Sequence, residues 1–280
     1  MIKSFLMLGQ SNMAGRGFLH EVEPIYNEKI KMLRNGRWQM MTEPINYDRP
    51  VAGVSLAASF ADAWSQANPG DEIGLIPCAE GGSSLDEWHP KRTLFQHALS
   101  EARFALDTSE ICGILWHQGE SDSYHCLYET YYEKFYFIIE TLRKELDLQD
   151  NPLIIGGLGD YLGKSGFGKH SVEFQEINRQ LYRFAHEQPN CYFVTAKGLS
   201  ANPDGIHLNA VSQRKFGYRY FEAFSKKCHI LEPLPDENHS IKRNNNFSKN
   251  EQIYIHSMDL ALGKITYDEY KARIAEVMRS

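Results

Sequence analysis

Four short stretches of this 280-residue chain carry side chains whose types and spacing could do covalent chemistry. In Gly9-Gln10-Ser11-Asn12, a serine stands just past an apolar run and before a glycine-punctuated turn. A hydroxyl there could attack a carbonyl carbon once a base takes its proton; it could equally cap a helix N-terminus. Asp204 and His207 lie three residues apart in "NPDGIHLN". That spacing lets a carboxylate reach the imidazole Nδ1–H, leaving Nε2 free to accept a hydroxyl proton. The paired glycines Gly81 and Gly82 in "CAEGGSSLDEW" let backbone approach another group closely and expose an N–H. "LWHQGESDS" packs His117, Gln118, Glu120, Ser121 and Asp122 together, and the Gln118 amide could stabilise a developing oxyanion. His117 reads as a packing residue, since no second histidine four positions away completes a helical zinc site. Alone, each stretch is a turn or a cap. Together they hold a nucleophile, a base with its carboxylate, and oxyanion donors, the set that acyl transfer needs. A phosphate loop does not fit: "GQSNMAGRG" lacks the Gly-Lys-Ser/Thr ending and does not match G-x-G-x-x-G.

Something must bring these stretches to one place. Strand-length apolar runs recur at residues 2–8, 73–78, 111–116, 153–158 and 191–195. Between them, residues 55–67, 93–106, 128–146, 172–185 and 211–224 place apolar side chains three and four apart, as amphipathic helices do. The alternation predicts an α/β fold, a three-layer α/β/α sandwich with about five parallel strands. Continuous apolar strands suit a sheet covered on both faces. Each chemical stretch then follows a different strand, at the carboxyl edge where open α/β sheets bind ligands.

Two regions break the rhythm. Residues 20–50 contain "KIKMLRNGRWQMM", which reads as a β-hairpin turning at Asn35-Gly36 and inserted near the site. Beyond Pro235 the chain turns polar, with "ENHSIKRNNNFSKN" as a linker before helical stretches 251–262 and 266–278. Thr266 and Glu269 have capping-box spacing, and Gly263 would stop the helix before them. The expected organisation is a catalytic domain over residues 1–235 and a polar linker with a helical extension over 236–280. That extension could pack on the main domain or on a second copy of the chain, giving a homo-oligomer.

Composition narrows the class. Hydrophobic residues make up 42% and charged residues 24%, as in ordinary globular proteins. The net charge of −6 argues against nucleic acid, and no apolar run reaches the roughly 18 residues of a membrane span. Five scattered cysteines without a CxxC pair suggest a reducing compartment and neither disulfides nor zinc. The N-terminal apolar run leads straight into the serine motif, so it reads as a core strand and not a signal peptide. A cytoplasmic location is expected.

The set Gly9-Gln10-Ser11-Asn12-Met13-Ala14-Gly15, Gly81-Gly82-Ser83, Trp116-His117-Gln118-Gly119-Glu120-Ser121 and Asp204-Gly205-Ile206-His207 resembles the SGNH hydrolase superfamily. More narrowly it is similar to carbohydrate esterase family 6, the sialate O-acetylesterase-like domain that includes acetylxylan esterases. The resemblance extends from about Met1 to Pro233 and implies a flavodoxin-like SGNH hydrolase fold. It further implies Ser11 as nucleophile, His207 as general base and Asp204 as its partner. The N–H groups of Ser11, Gly82 and Gln118 would form the oxyanion hole, with Gly81 a one-residue alternative to Gly82. Gln118 stands where the broader superfamily has asparagine, the pattern of the carbohydrate-esterase branch. Gln10, Asn12 and Glu120 would support the site, Glu120 around the triad or as a second carboxylate for His207. No cofactor or metal is implied. The expected substrate is an acetylated mono- or oligosaccharide, acetylated xylo-oligosaccharides first. Sialate or other small esters, a lipase or thioesterase, and a catalytically silent carbohydrate-binding protein are the rival readings. Trp38 and Trp88 would offer a sugar stacking faces or pack in the core.

Overall fold

The first strand, β1 (Ile2–Gly9), sends Leu6 and Leu8 into one apolar cluster and Phe5 and Met7 into another. A strand buried on both faces belongs inside a covered sheet. The computed structural model describes residues 1–237 and 246–279, and in it β1 is the central strand. With β2 (Ile30–Arg34), β3 (Arg37–Met40), β4 (Ile73–Pro77), β5 (Ser109–His117), β6 (Leu153–Gly156) and β7 (Cys191–Val194), it forms a sheet ordered β3-β2-β4-β1-β5-β6-β7. Every neighbouring pair runs parallel except the β2–β3 hairpin.

Helices cover both faces. They are α1 (Ser11–Ala14), α2 (Leu56–Ala67), α3 (Thr93–Leu106), α4 (Tyr128–Leu146), α5 (Phe174–Glu187) and α6 (Ala210–Lys226). Helices α3, α4 and α5 bury Leu99, Phe135, Ile139 and Phe184 against the side of Leu6 and Leu8. Helices α2 and α6 bury Phe60 and Phe216 against the side of Phe5 and Met7. The three-layer sandwich is therefore present, with seven strands where about five were expected. The two extra strands are the hairpin at Asn35-Gly36, whose central residues take φ +52° and +69°, as a type I′ turn requires. It is not an insertion beside the site. Ile30 and Met32 are fully buried, and that face lets β2 pair parallel with β4 and lengthen the sheet.

Strand order decides where a ligand can sit. The chain builds out from β1 through β4 on one side, then crosses to β5 on the other. Open α/β sheets bind ligands at the carboxyl ends of the strands flanking such a reversal, which here is the end of β1. Ser11 follows that end directly.

The C-terminal helices α7 (Lys249–Ala261) and α8 (Tyr267–Arg279) pack on each other and on the body. The Glu28 N–H donates to Glu251 Oε1 at 2.9 Å, and Tyr26 meets the rings of Phe247 and Tyr254. The Thr266–Glu269 capping box forms. A second box, Ser248–Glu251, starts α7 two residues earlier than the periodicity suggests. Part of the expected linker, residues 238–245, lies outside the described residues. Among the described residues no helix is long and apolar enough to cross a membrane.

Candidate functional site

Ser11 opens α1 at the carboxyl end of β1, where Gln10 is the N-cap residue and makes no side-chain cap. The serine is therefore the first helical residue, not the cap that its sequence context equally allowed. Among the described residues, neither its hydroxyl nor its N–H donates a hydrogen bond.

Asp204 and His207 do meet, through a turn and not a helix. Asp204 Oδ1 accepts the N–H groups of Ile206 and His207, both at 3.0 Å, while Oδ2 lies 2.8 Å from His207 Nδ1. A short polar side chain bonding backbone two and three residues ahead is the local habit of Asp in turns. Burial pushes the Asp204 carboxyl up, but the two N–H groups and the imidazole outweigh it and hold it below the ordinary value. Helix α6 starts just beyond, with Asn209 Oδ1 accepting the Ser212 N–H.

Asn12 stitches the serine turn to the histidine turn. Its Nδ2 donates to the Ile206 carbonyl at 3.1 Å and its Oδ1 accepts the Leu208 N–H at 2.8 Å, gripping the backbone on both sides of His207. The same Nδ2 donates to Glu120 Oε1. Glu120 thus supports the site through Asn12. The alternative of Glu120 as a second carboxylate for His207 fails, because its partner is Asn12 and His207 Nδ1 is taken by Asp204. Behind Glu120, His117 is fully buried and packs edge-on to Phe216; burial lowers its pKa. Gln10 ties in the third loop, its Oε1 accepting the N–H groups of Gly119 and Ser121.

The two glycines separate cleanly. The Gly81 N–H donates to Asp48 Oδ2 at 2.8 Å. The Gly82 N–H has no partner among the described residues, and Gly82 takes φ +79°, a conformation side-chain-bearing residues resist. The Gly82 carbonyl accepts the Ser121 hydroxyl at 3.0 Å, which fixes the turn.

Gln118 departs from expectation. Its Nε2 donates to the Ser83 carbonyl at 3.0 Å and to Asp122 Oδ2 at 2.5 Å, and its Oε1 accepts the Tyr131 hydroxyl at 2.9 Å. Both amide hydrogens are engaged, so the side chain has none left for a substrate oxygen. Flipping the amide would set its oxygen against the Ser83 carbonyl and the Asp122 carboxylate, which disfavours the alternative. Burial raises the Asp122 carboxyl despite the bonds from Gln118 and Leu85.

Neither tryptophan offers a stacking face at the site. Trp88 is buried and donates to Ser83 Oγ. Trp38 crowds Gly74 and donates to Thr108, at the far end of β5 from His117. Sequence reading misses Asp48 and Asn46, and names Asp122 without giving it a role. Asn46 bonds both the N–H and the carbonyl of Ala79, so residues 46–48 reach the glycine loop although the hairpin before them does not. Arg16, within the serine stretch itself, was also passed over.

Comparisons with known proteins give the family and the fold. The family model described as carbohydrate esterase, sialic acid-specific acetylesterase matches residues 2–226. A probable carbohydrate esterase of Arabidopsis thaliana is 29% identical over 246 residues, 79% of this chain and 89% of that protein. Its X-ray structure superposes with a TM-score of 0.72 at 27% identity, over 80% of this chain and 98% of that one. NanS, at 19% identity, shares the fold with a TM-score of 0.66 over 81% of this chain and 97% of its own. A carbohydrate acetylesterase from Xanthomonas citri, 17% identical, does so at 0.58 over 80% of this chain and 56% of that one. With four motifs meeting at one sheet edge and the family model spanning most of the chain, this protein belongs to the carbohydrate esterase, sialic acid-specific acetylesterase family and is a carboxylic ester hydrolase.

Proposed function

We propose that this enzyme removes acetyl groups from sugars in two steps, with Ser11 as nucleophile, His207 as general base and Asp204 as its orienting partner. His207 Nε2 takes the Ser11 hydroxyl proton as Oγ attacks the acetyl carbonyl. The oxyanion is received by the N–H groups of Ser11 and Gly82, both free of other partners among the described residues. The sugar oxygen leaves with the proton from His207, giving acetyl-serine; water, deprotonated by His207, then releases acetate and restores the serine. Catalytic hydrogen bonds of this kind commonly close only around substrate. Gln118 takes the part of a positioning residue, holding Ser83 and Asp122 behind the glycine turn. The observation that carries the reading is the Asp204–His207 pair at 2.8 Å, locked beside the Ser11 turn by the Asn12 side chain.

Among sugars, two findings favour an anionic one such as an O-acetylated sialic acid over neutral xylo-oligosaccharides. The family description names sialic acid. Residues 163–170 lie against Asp204, with the Phe167 N–H on the Asp204 carbonyl at 2.7 Å. That segment carries Lys164, Lys169 and His170, no acidic residue, and no ion pair to either lysine among the described residues. Acetate release from O-acetylated sialic acid, acetylated xylo-oligosaccharides and an aryl acetate tests the reading. Sialate turnover well above the aryl acetate supports it. Equal trace rates on all three would reduce the function to an unspecialised esterase, and no release would refute it.

A further inference from the structure

The Gly82 N–H can receive an oxyanion only if its peptide points into the site, and the neighbouring Gly81 is held from behind. Arg16 and Asp48 form a two-pronged ion pair, with Arg16 Nη1 3.1 Å from Oδ1 and Nη2 2.5 Å from Oδ2. The two side chains are only 4% and 1% exposed. The same Oδ2 accepts the Gly81 N–H at 2.8 Å. The contact is close enough to dictate residue type: a Cβ on Gly81 would lie 2.5 Å from Arg16 Nη2 and 2.7 Å from Asp48 Oδ2. The doubled glycine therefore has two separate causes, close approach at 81 and a left-handed φ at 82. Arg49 Nη2 adds a 3.4 Å contact to the Gly81 carbonyl, the other end of the peptide whose N–H is that of Gly82.

We infer that Asp48 is a positioning residue for the oxyanion hole, aligning the Gly81-Gly82 peptide through its bond to the Gly81 N–H while Arg16 neutralises its charge. This rests on the reading of Gly82 as an oxyanion donor. Arg16 matters to the chemistry as well as the fold, because an unpaired carboxylate bonded to the adjacent Gly81 N–H would oppose the negative charge forming on the carbonyl oxygen. The bidentate fork also explains why arginine and not lysine stands there.

The test measures kcat and KM for an aryl acetate, and the melting temperature, on the full chain carrying Asp48→Asn or Asp48→Ala. Both lose the charge facing Arg16, so a merely structural role would lower both melting temperatures and leave their turnover alike. Asn keeps an oxygen for the Gly81 N–H and Ala keeps none. The expected result is a kcat about 100-fold below wild type for Asp48→Ala at unchanged KM, with Asp48→Asn within about 10-fold of wild type. Should Asp48→Ala not fold, the double variant Arg16→Met with Asp48→Leu leaves no buried charge unpaired and must show the same loss of kcat. If the variant lacking an acceptor turns over within about threefold of Asp48→Asn, the assignment is overturned. An inactive wild-type enzyme would overturn the underlying reading together with it, so the two failures are distinguishable.

Discussion

Replacing Asn12 with alanine should cut the connection between the serine turn and the histidine turn. The substitution removes three bonds, to the Ile206 carbonyl, the Leu208 N–H and the Glu120 carboxylate. Asn12 is fully buried and Glu120 is 1% exposed, so water does not readily replace the lost partners. A buried donor or acceptor left unpaired costs about 1–3 kcal/mol, more for a charged one. Partial relaxation of the three orphaned groups brings the expected loss to roughly 3–5 kcal/mol. For a chain this size each kcal/mol moves the melting temperature by about 2–4 °C, so a drop of about 6–20 °C is expected. Activity should fall further than stability alone explains, because a small displacement of His207 from the serine can cost about 100-fold in kcat. The assay pairs thermal melts with aryl acetate kinetics at a temperature where the variant remains folded. An Asn12→Ala protein that melts within about 1 °C of wild type and keeps its kcat would refute the claim that this side chain couples the two turns.

Three further outcomes follow from the geometry. Gln118→Ala should lose roughly 2–4 kcal/mol of stability by stranding the Ser83 carbonyl, the Asp122 carboxylate and the Tyr131 hydroxyl; a variant of full stability with a kcat some 100-fold lower would instead make the amide an oxyanion donor. Glu237 is pushed up by burial, but the Arg219 fork at 2.8 Å wins and holds its pKa below the ordinary value. Its contribution to stability is therefore present above the unfolded value of about 4.3 and is lost as pH falls through the folded one. In urea melts the gap between wild type and Glu237→Gln should close on acidification below that value, and a gap that widens would contradict the linkage. Thiol titration of the native protein should show exposed Cys126 reacting first, ahead of half-buried Cys228 and the other three, and Cys126→Ser should abolish the fastest phase. Burial pushes Cys112 and Cys191 up to about 11 and Cys78 higher still, suppressing the reactive thiolate.

The elements of the sandwich were legible because their causes are local. The apolar runs of β1, β4 and β5 and the helical spacing of α2 through α6 each specify burial within a short window. The hairpin was seen through Asn35-Gly36, but its place was misjudged. A turn dictates that two strands pair, and only the buried face of Ile30 and Met32 dictates that β2 then joins β4. The Asp204–His207 contact was readable from its spacing, because an aspartate turn bonds within its own few residues. Gln118 was legible as a polar residue at a strand end, with Asp122 in the same stretch, yet its other partners, Ser83 and Tyr131, come from the glycine turn and from α4. The buried Arg16–Asp48 pair joins residues 32 positions apart, and no local pattern announces such a partner. What the sequence offered was the serine stretch itself, in which Arg16 invites the question of where its charge goes.

Covalent capture of the nucleophile tests the central claim most directly. An organophosphate should inactivate the wild-type enzyme with one adduct per chain, located on the peptide holding Ser11, while His207→Ala should label far more slowly. Ser11→Ala should take no adduct and release no acetate. Labelling at another residue, or a Ser11→Ala protein that still hydrolyses acetyl esters at the wild-type rate, would contradict the account.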